Sequence, residues 1–186
     1  VVGSTEGLLP GLTSGLRDEA FVGLYPEETA VNSMEAFLMK VDLATMNPVW
    51  TALIAGINLA TKLKGNAYGF GCAVTHDGED IFLMGMVKEG GVVTDFSADS
   101  LKRHDNVARG GSDVFVASYK TSDGRLNFLR QIGSTQDDTP SRGNGGITVD
   151  RIGNPIIVGN TRGSLMRQRD VSEYMFGQGS DTAPSD

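Results

Sequence analysis

The two histidines, His76 and His104, are the residues best suited by type to metal binding or proton transfer. They do not stand in an HxH or HxxxH spacing, which would place two ligands on one element. The single cysteine, Cys72, cannot form an internal disulfide, and its apolar surroundings favour a small buried side chain. No GxSxG or Cys-His pattern marks a nucleophile with its base. Local motifs therefore predict no catalytic residue, no metal site and no cofactor.

Carboxylates cluster at 77–80, around 123 and at 136–138. A calcium loop needs oxygen ligands at alternating positions and a distant Glu, and the first two stretches do not supply them. Their Asp-Gly pairs instead suit tight turns. The third stretch, Gln136-Asp137-Asp138, is expected to be a solvated turn. Carboxylate pairs that converge from distant strands leave no spacing signature, so an enzyme remains an alternative.

Three polar segments share a Ser, a Leu, an Arg and a closing Asp. They contribute the candidate binding residues Arg17, Asp18, Arg103, Asp105, Arg167 and Asp170. Because each Arg lies close to an Asp, the charges can pair internally and hold the connecting segments in place. Alternatively, they form a repeated contact surface, since guanidinium groups suit carboxylate-bearing partners.

The elements that must position these residues are short apolar runs separated by turn residues. In the second half of the chain the runs span 114–119, 126–132, 146–150 and 155–160. Asp123-Gly124 between the first two is a hairpin signal. The pattern predicts a four-stranded antiparallel meander.

A second copy of this meander precedes it, with runs at 36–42, 48–54, 72–75 and 81–86. Phe37 matches Phe115 and Trp50 matches Phe128, each at a separation of 78 positions. All four aromatic side chains are predicted to lie in the core. The runs 81–84 and 155–158 are continuously apolar, which is typical of strands buried on both faces.

The repeat divides the chain into six parts. They are residues 1–7, the last strand of a preceding copy; 8–34, a connector; 35–90, the first copy; 91–111, a connector; 112–163, the second copy; and 164–186, a connector leading to a further copy. The first part is assigned because residues 1–7 echo residues 158–163. Further copies are expected from the same chain or from an oligomer.

Composition excludes some classes of function. The net charge of −7 and the absence of a Lys/Arg run argue against nucleic-acid binding. No apolar run reaches the roughly 18 residues of a transmembrane helix. The 25 glycines in 186 residues exceed the roughly 7% average and suit a fold with many tight turns.

Several segments resemble the SBBP-type β-propeller repeats. They are 113–117, 122–124, 147–150, 153–154 and 158–161. The first copy departs from this pattern, with Met46-Asn47-Pro48 in place of the Asp-Gly turn and His76 in place of Asp. The resemblance implies an all-β fold of propeller blades, here part of a propeller, and no catalytic motif.

The expected function is a non-enzymatic scaffold for protein or glycan interaction. The resemblance implies a secreted or cell-surface location. The alternative is a polysaccharide lyase or glycoside hydrolase that uses the propeller channel, since fold alone does not fix function.

Overall fold

The computed structural model describes residues 1–6, 12–14, 33–57, 64–88, 90–93, 110–141 and 146–165. The strands are β1 (Val2–Thr5), β2 (Leu12–Ser14), β3 (Glu35–Val41), β4 (Pro48–Ile57), β5 (Lys64–Val74), β6 (Asp80–Lys88), β7 (Gly91–Val93), β8 (Ser112–Lys120), β9 (Leu126–Ile132), β10 (Asp138–Pro140), β11 (Ile147–Val149), β12 (Pro155–Ile157) and β13 (Gly159–Thr161). These ranges contain no α-helix, so the all-β prediction is confirmed. Within them, no helix has the length and apolarity needed to cross a membrane.

In the main sheet the strands follow one another as antiparallel neighbours in the order β1-β3-β4-β5-β6-β8-β9, so the first copy has the predicted meander order. Of the second copy, only β8 and β9 belong to this sheet, so among the described residues its strands do not form the single four-stranded meander that was predicted. Two further sheets pair β10 with β13 and β11 with β12. One strand starts earlier than the sequence predicted: β5 begins at Lys64, so it includes Gly65 and places Cys72 well inside the strand.

The first hairpin turn has the same hydrogen bonds in both copies, at a spacing of 78 residues. The N–H of Met46 donates to the carbonyl of Asp42 at 2.8 Å, and that of Gly124 donates to the carbonyl of Lys120 at 2.9 Å. Met46 has φ 56° and Gly124 has φ 73°. Met46-Asn47-Pro48 therefore builds the same turn as Asp123-Gly124, although a non-glycine residue must adopt the left-handed conformation.

The unit of sequence repetition and the unit of sheet pairing differ by two strands. β4 and β5 share only two residue pairs, Gly56 with Gly65 and Ile57 with Lys64. By contrast, β6 pairs with β8 along its whole length, from Asp80 opposite Lys120 to Lys88 opposite Ser112. The last two strands of the first copy and the first two strands of the second copy thus form one four-stranded sheet, β5-β6-β8-β9, which we call the central sheet.

The central sheet is buried on both faces. One face packs against β3 and β4 through a cluster that includes Leu38, Trp50, Leu83, Phe115, Ala117, Tyr119 and Leu129. The other face packs against β11 and β12 through Phe82, Met84, Val114, Val116, Ile147 and Ile157. The continuous apolar run 81–84 is explained by this arrangement, since successive side chains of a strand point to opposite faces.

The four predicted core aromatics are not equally buried. Trp50 and Phe115 are fully buried, whereas Phe37 and Phe128 are half-buried. Trp50 lies beside Tyr119, with ring centroids 6.5 Å apart, and its indole Nε1 donates to the Thr121 carbonyl at 3.1 Å. Trp50 therefore connects the first hairpin of the first copy to the first hairpin of the second copy.

The prediction that 155–158 is buried on both faces is wrong. Ile156 is 49% exposed and Val158 is 57% exposed, while their counterparts Phe82 and Met84 in β6 are 4% and 0% exposed. The physical reason is position: β12 lies in the outermost layer of the described residues, so only its inner face meets another sheet.

Replacing Met46 with glycine should stabilise the protein. The left-handed conformation costs an L-residue about 1–2 kcal/mol, and glycine removes that cost while adding some entropy to the unfolded chain. Met46 is 71% exposed, so little burial is lost. We expect the free energy of unfolding to rise by about 0.5–1 kcal/mol in urea denaturation. Leu43→Gly, in the same turn but without positive φ, should lower it.

Replacing Trp50 with alanine should cost about 3–5 kcal/mol, because a large cavity opens between two sheets. The neighbouring Val49 is 45% exposed, and Val49→Ala should change the free energy of unfolding by no more than about 0.5 kcal/mol. Thermal denaturation of the two variants checks the packing, and equal melting temperatures would contradict it.

Candidate functional site

The predicted binding residues of the connectors lie outside the described residues. These are Arg17, Asp18, Arg103, Asp105, Arg167 and Asp170, and His104 lies outside as well. His76 is exposed in the turn between β5 and β6, and Cys72 is a half-buried free thiol. Within the described ranges, no group of three or more His, Cys, Asp or Glu side chains is arranged to hold a metal ion.

The first two acidic stretches form turns, as predicted. Asp77 Oδ1 accepts hydrogen bonds from the Thr75 hydroxyl at 2.6 Å and from the Glu79 N–H at 3.0 Å. The Thr75 hydroxyl, followed by the Glu79 N–H, lowers the pKa of Asp77. Asp123 Oδ1 likewise accepts the N–H of Arg125 at 3.0 Å. These carboxylates are engaged in holding the chain reversals.

The third acidic stretch is not a solvated turn, and that prediction is wrong for Asp138. Asp138 begins β10 and is only 2% exposed, because β10 pairs with β13 along one edge and packs against β8. One carboxylate oxygen, Oδ2, accepts the N–H of Ser134. The other, Oδ1, is buried without a hydrogen-bond partner among the described residues. The adjacent Asp137 stays at the surface and forms an ion pair with Arg162 at 3.3 Å.

Asp138 lines a pocket of about 240 Å³ between the β8–β9 hairpin and the paired strands β10 and β13. The walls are mainly apolar, formed by Val114, Ile132, Ile157, Val158 and Leu165, and Asn160 and Thr161 add polar groups. Typical small-molecule pockets are about 300–1,000 Å³. The pocket is therefore of a size for one side chain or one sugar ring.

A buried polar network involves Asp113 and Gln131, which directly precede the pocket residues Val114 and Ile132 in the sequence. Gln131 Nε2 donates to Asp113 Oδ2 at 2.7 Å and to the Gly90 carbonyl at 3.0 Å. Its Oε1 accepts the N–H of Val92 at 3.1 Å. The Gln131 amide thus hydrogen-bonds to the backbone at β7 in the way that a neighbouring strand would. It connects β9 to β7, which in turn pairs with β4.

Gly133 is required beside this network. A Cβ atom at Gly133 would lie 1.8 Å from Asp113 Oδ1, far inside any permitted contact. Because Gly133 has no side chain, the buried Asp113 carboxylate fits between β8 and the end of β9. The backbone after β9 is therefore shaped around the Asp113 side chain.

Sequence reasoning missed this network, although the repeat contains a signal for it. Gln131 stands 78 positions after Leu53, which is buried in the first copy. A polar residue at a position that is apolar and buried in the matching copy indicates a local polar partner, because an unpaired buried amide is costly. The partner, Asp113, corresponds to Glu35 at the same separation.

No model of a known protein family matches the chain, and no curated protein sequence matches it significantly.

Gln131→Glu should destabilise the protein in a pH-dependent way. The introduced carboxyl cannot donate to Asp113 or to the Gly90 carbonyl, and at neutral pH it places a second negative charge beside Asp113. We expect a loss of about 2–4 kcal/mol at pH 7. Burial and the Asp113 charge raise the pKa of the introduced carboxyl in the folded state, so the folded state favours its protonated form.

The stability deficit relative to the parent should therefore shrink as the pH falls towards about 4–5 and grow as the pH rises. Urea denaturation of both proteins across this range measures it. The surface substitution Gln136→Glu is the matched control, because Gln136 is exposed and only its backbone is hydrogen-bonded to Ser134. A deficit that does not vary with pH would contradict the buried position of Gln131.

Proposed function

We propose that this chain is a non-enzymatic scaffold of β-propeller-type repeats that binds a protein or glycan partner at the cell surface or outside the cell. The observation that carries the proposal is the layered arrangement: β3 and β4, the central sheet, and β11 and β12 stack face to face. Stacked sheets of a tandem repeat are the packing on which propellers and solenoids depend. The blades proposed here are offset by two strands from the sequence repeat.

Several of the polar side chains have structural roles, which supports a scaffold. Gln131 and Asp113 hold backbone segments together, and Asp77 and Asp123 hold turns. Within the part of the chain that the structure describes, the pocket beside β13 is accessible to a partner. Its apolar walls favour an apolar group of the partner, and the lining residues Asn160 and Thr161 offer polar groups to orient it.

The enzymatic alternative, a polysaccharide lyase or glycoside hydrolase, draws on one observation. Asp138 is a buried carboxylate at a pocket wall, and its Oδ1 atom has no hydrogen-bond partner within the described part of the chain. Buried carboxylates are the residues that glycosidases use as acid and base. The two functions make different predictions for turnover.

The test is binding and turnover measured on one glycan panel and one displayed peptide library, with the full chain. We expect binding without cleavage, and we expect Leu165→Glu to weaken ligand binding by about tenfold or more, because it places a charge in the pocket wall. Val74→Glu is the matched control: Val74 is 49% exposed, Leu165 is 36% exposed, and Val74 is not part of the pocket.

Glycan cleavage that is abolished by Asp138→Asn would contradict the scaffold proposal and support the enzymatic alternative. Ligand binding that Leu165→Glu and Val74→Glu weaken equally would show that the binding surface lies elsewhere.

A further inference from the structure

Three glycines occupy the same place in successive last strands of the repeat. Gly3 in β1 and Gly159 in β13 are separated by two periods of 78, and Gly85 in β6 matches Gly159 at the end of the corresponding apolar run. In the structure Gly3 lies opposite Phe37 and Gly85 lies opposite Phe115. A last strand therefore pairs with the first strand of the next copy, with phenylalanine over glycine.

The contacts of these glycines show that Gly85 has a complete environment. A Cβ atom at Gly85 would meet the Phe115 ring at 2.2 Å on the side of the next copy, and the Tyr68 carbonyl at 2.2 Å on the side of its own third strand. At Gly3 the three nearest atoms all belong to the Phe37 ring, the first of them at 2.9 Å. Among the described strands, β1 pairs only with β3, so no third strand lies beside it there.

Gly159 has the opposite half of this environment. A Cβ atom there would meet the Thr139 carbonyl of β10 at 2.6 Å, which corresponds to the Tyr68 contact at Gly85. No aromatic ring covers it, and Gly159 is exposed whereas Gly85 is buried. What is lacking at Gly159, within the described residues, is the first strand of a following copy.

Among the described residues, no strand pairs with β12 and β13 on the matching edge. Val158 uses its N–H and its carbonyl towards the third strand, with the Gly146 carbonyl at 2.9 Å and the Ser141 N–H at 2.8 Å. Because successive peptide groups of a strand point in opposite directions, Ile157 and Gly159 direct theirs to the other edge. Among the described strands, β12 pairs only with β11 and β13 only with β10.

We propose that this edge, formed by residues 155–161, binds the first strand of a following copy of the repeat in antiparallel pairing, with a phenylalanine over Gly159. The occupant is defined by the established β6–β8 junction, where nine consecutive residue pairs join the two copies. An unpaired edge is a ready template for strand addition. The exposed Ile156 and Val158 agree with this assignment, since the completed sheet would offer its outer face to one more layer.

This proposal concerns assembly and goes beyond the proposed function. Residues 157–161 belong both to the edge of β12 and β13 and to the wall of the pocket, so an added strand and a pocket ligand would compete. Strand addition is read from the peptide crosslinks and partner binding from the glycan panel and peptide library, so failure of one is distinguishable from failure of the other.

The probe is a synthetic nine-residue peptide with the sequence of β8, residues Ser112–Lys120, labelled with a fluorophore. Fluorescence anisotropy with the full chain should show saturable binding. The Phe115→Ala version of the peptide should bind about tenfold or more weakly, because the ring over Gly159 is lost. The Tyr119→Ala version is the matched control: in the β6–β8 register this aromatic would lie over Pro155 at the end of the edge, and its loss should matter less.

A photo-crosslinking phenylalanine analogue at the Phe115 position of the peptide identifies the site. Crosslinks to residues 157–161 are expected. Crosslinks near Gly3 or Gly85 would mean that the peptide displaces an existing strand, and they would overturn the proposal, as would the absence of binding or equal binding of the Phe115→Ala peptide. Self-association of the chain that the peptide reverses would assign the edge to a second copy of the chain and would also overturn it.

Discussion

The pairing of β6 with β8 is the interaction on which the rest of the structure depends. It joins two copies of the repeat into one four-stranded sheet, and that sheet supplies both buried faces. The junction is close because Gly85 has no side chain and Phe115 occupies the space above it. At its far end Lys120 forms an ion pair with Asp80 at 2.9 Å, which fixes the register at the strand ends.

The burial of the central sheet explains how polar residues are used around it. A sheet that is buried on both faces carries mainly apolar side chains on those faces. Polar side chains therefore lie at its edges and where the backbones of neighbouring layers approach each other. Gln131 and Asp113 lie at such an approach, where the Gln131 amide hydrogen-bonds to the backbone of Gly90 and Val92. Within the described residues, Asp138 has one carboxylate oxygen with a hydrogen bond and one without, and it lines a small pocket.

Much of the fold was predictable, and the candidate site was not. The positions of β3, β4, β6, β8 and β9 follow from apolar runs and turn residues, and the hairpin turn at Gly124 follows from its Asp-Gly pair. The left-handed Met46 was predictable only from the repeat, since methionine has no local preference for positive φ. Asp138 looked like a surface residue because no local signal shows that it belongs to a strand, β10, whose partner β13 lies about twenty residues further along the chain.

By itself, the sequence determined the period of 78, the location of most strands and the alternation of side chains, because these depend on local backbone preferences and on spacing. Only the tertiary structure decided which strands share a sheet. A repeating sequence can be divided at any point of its period, so periodicity alone does not set the boundary between units. The boundary is set by hydrogen bonds between strands that are distant in sequence. They place β5, β6, β8 and β9 together and, among the described strands, leave one edge of β12 and β13 unpaired.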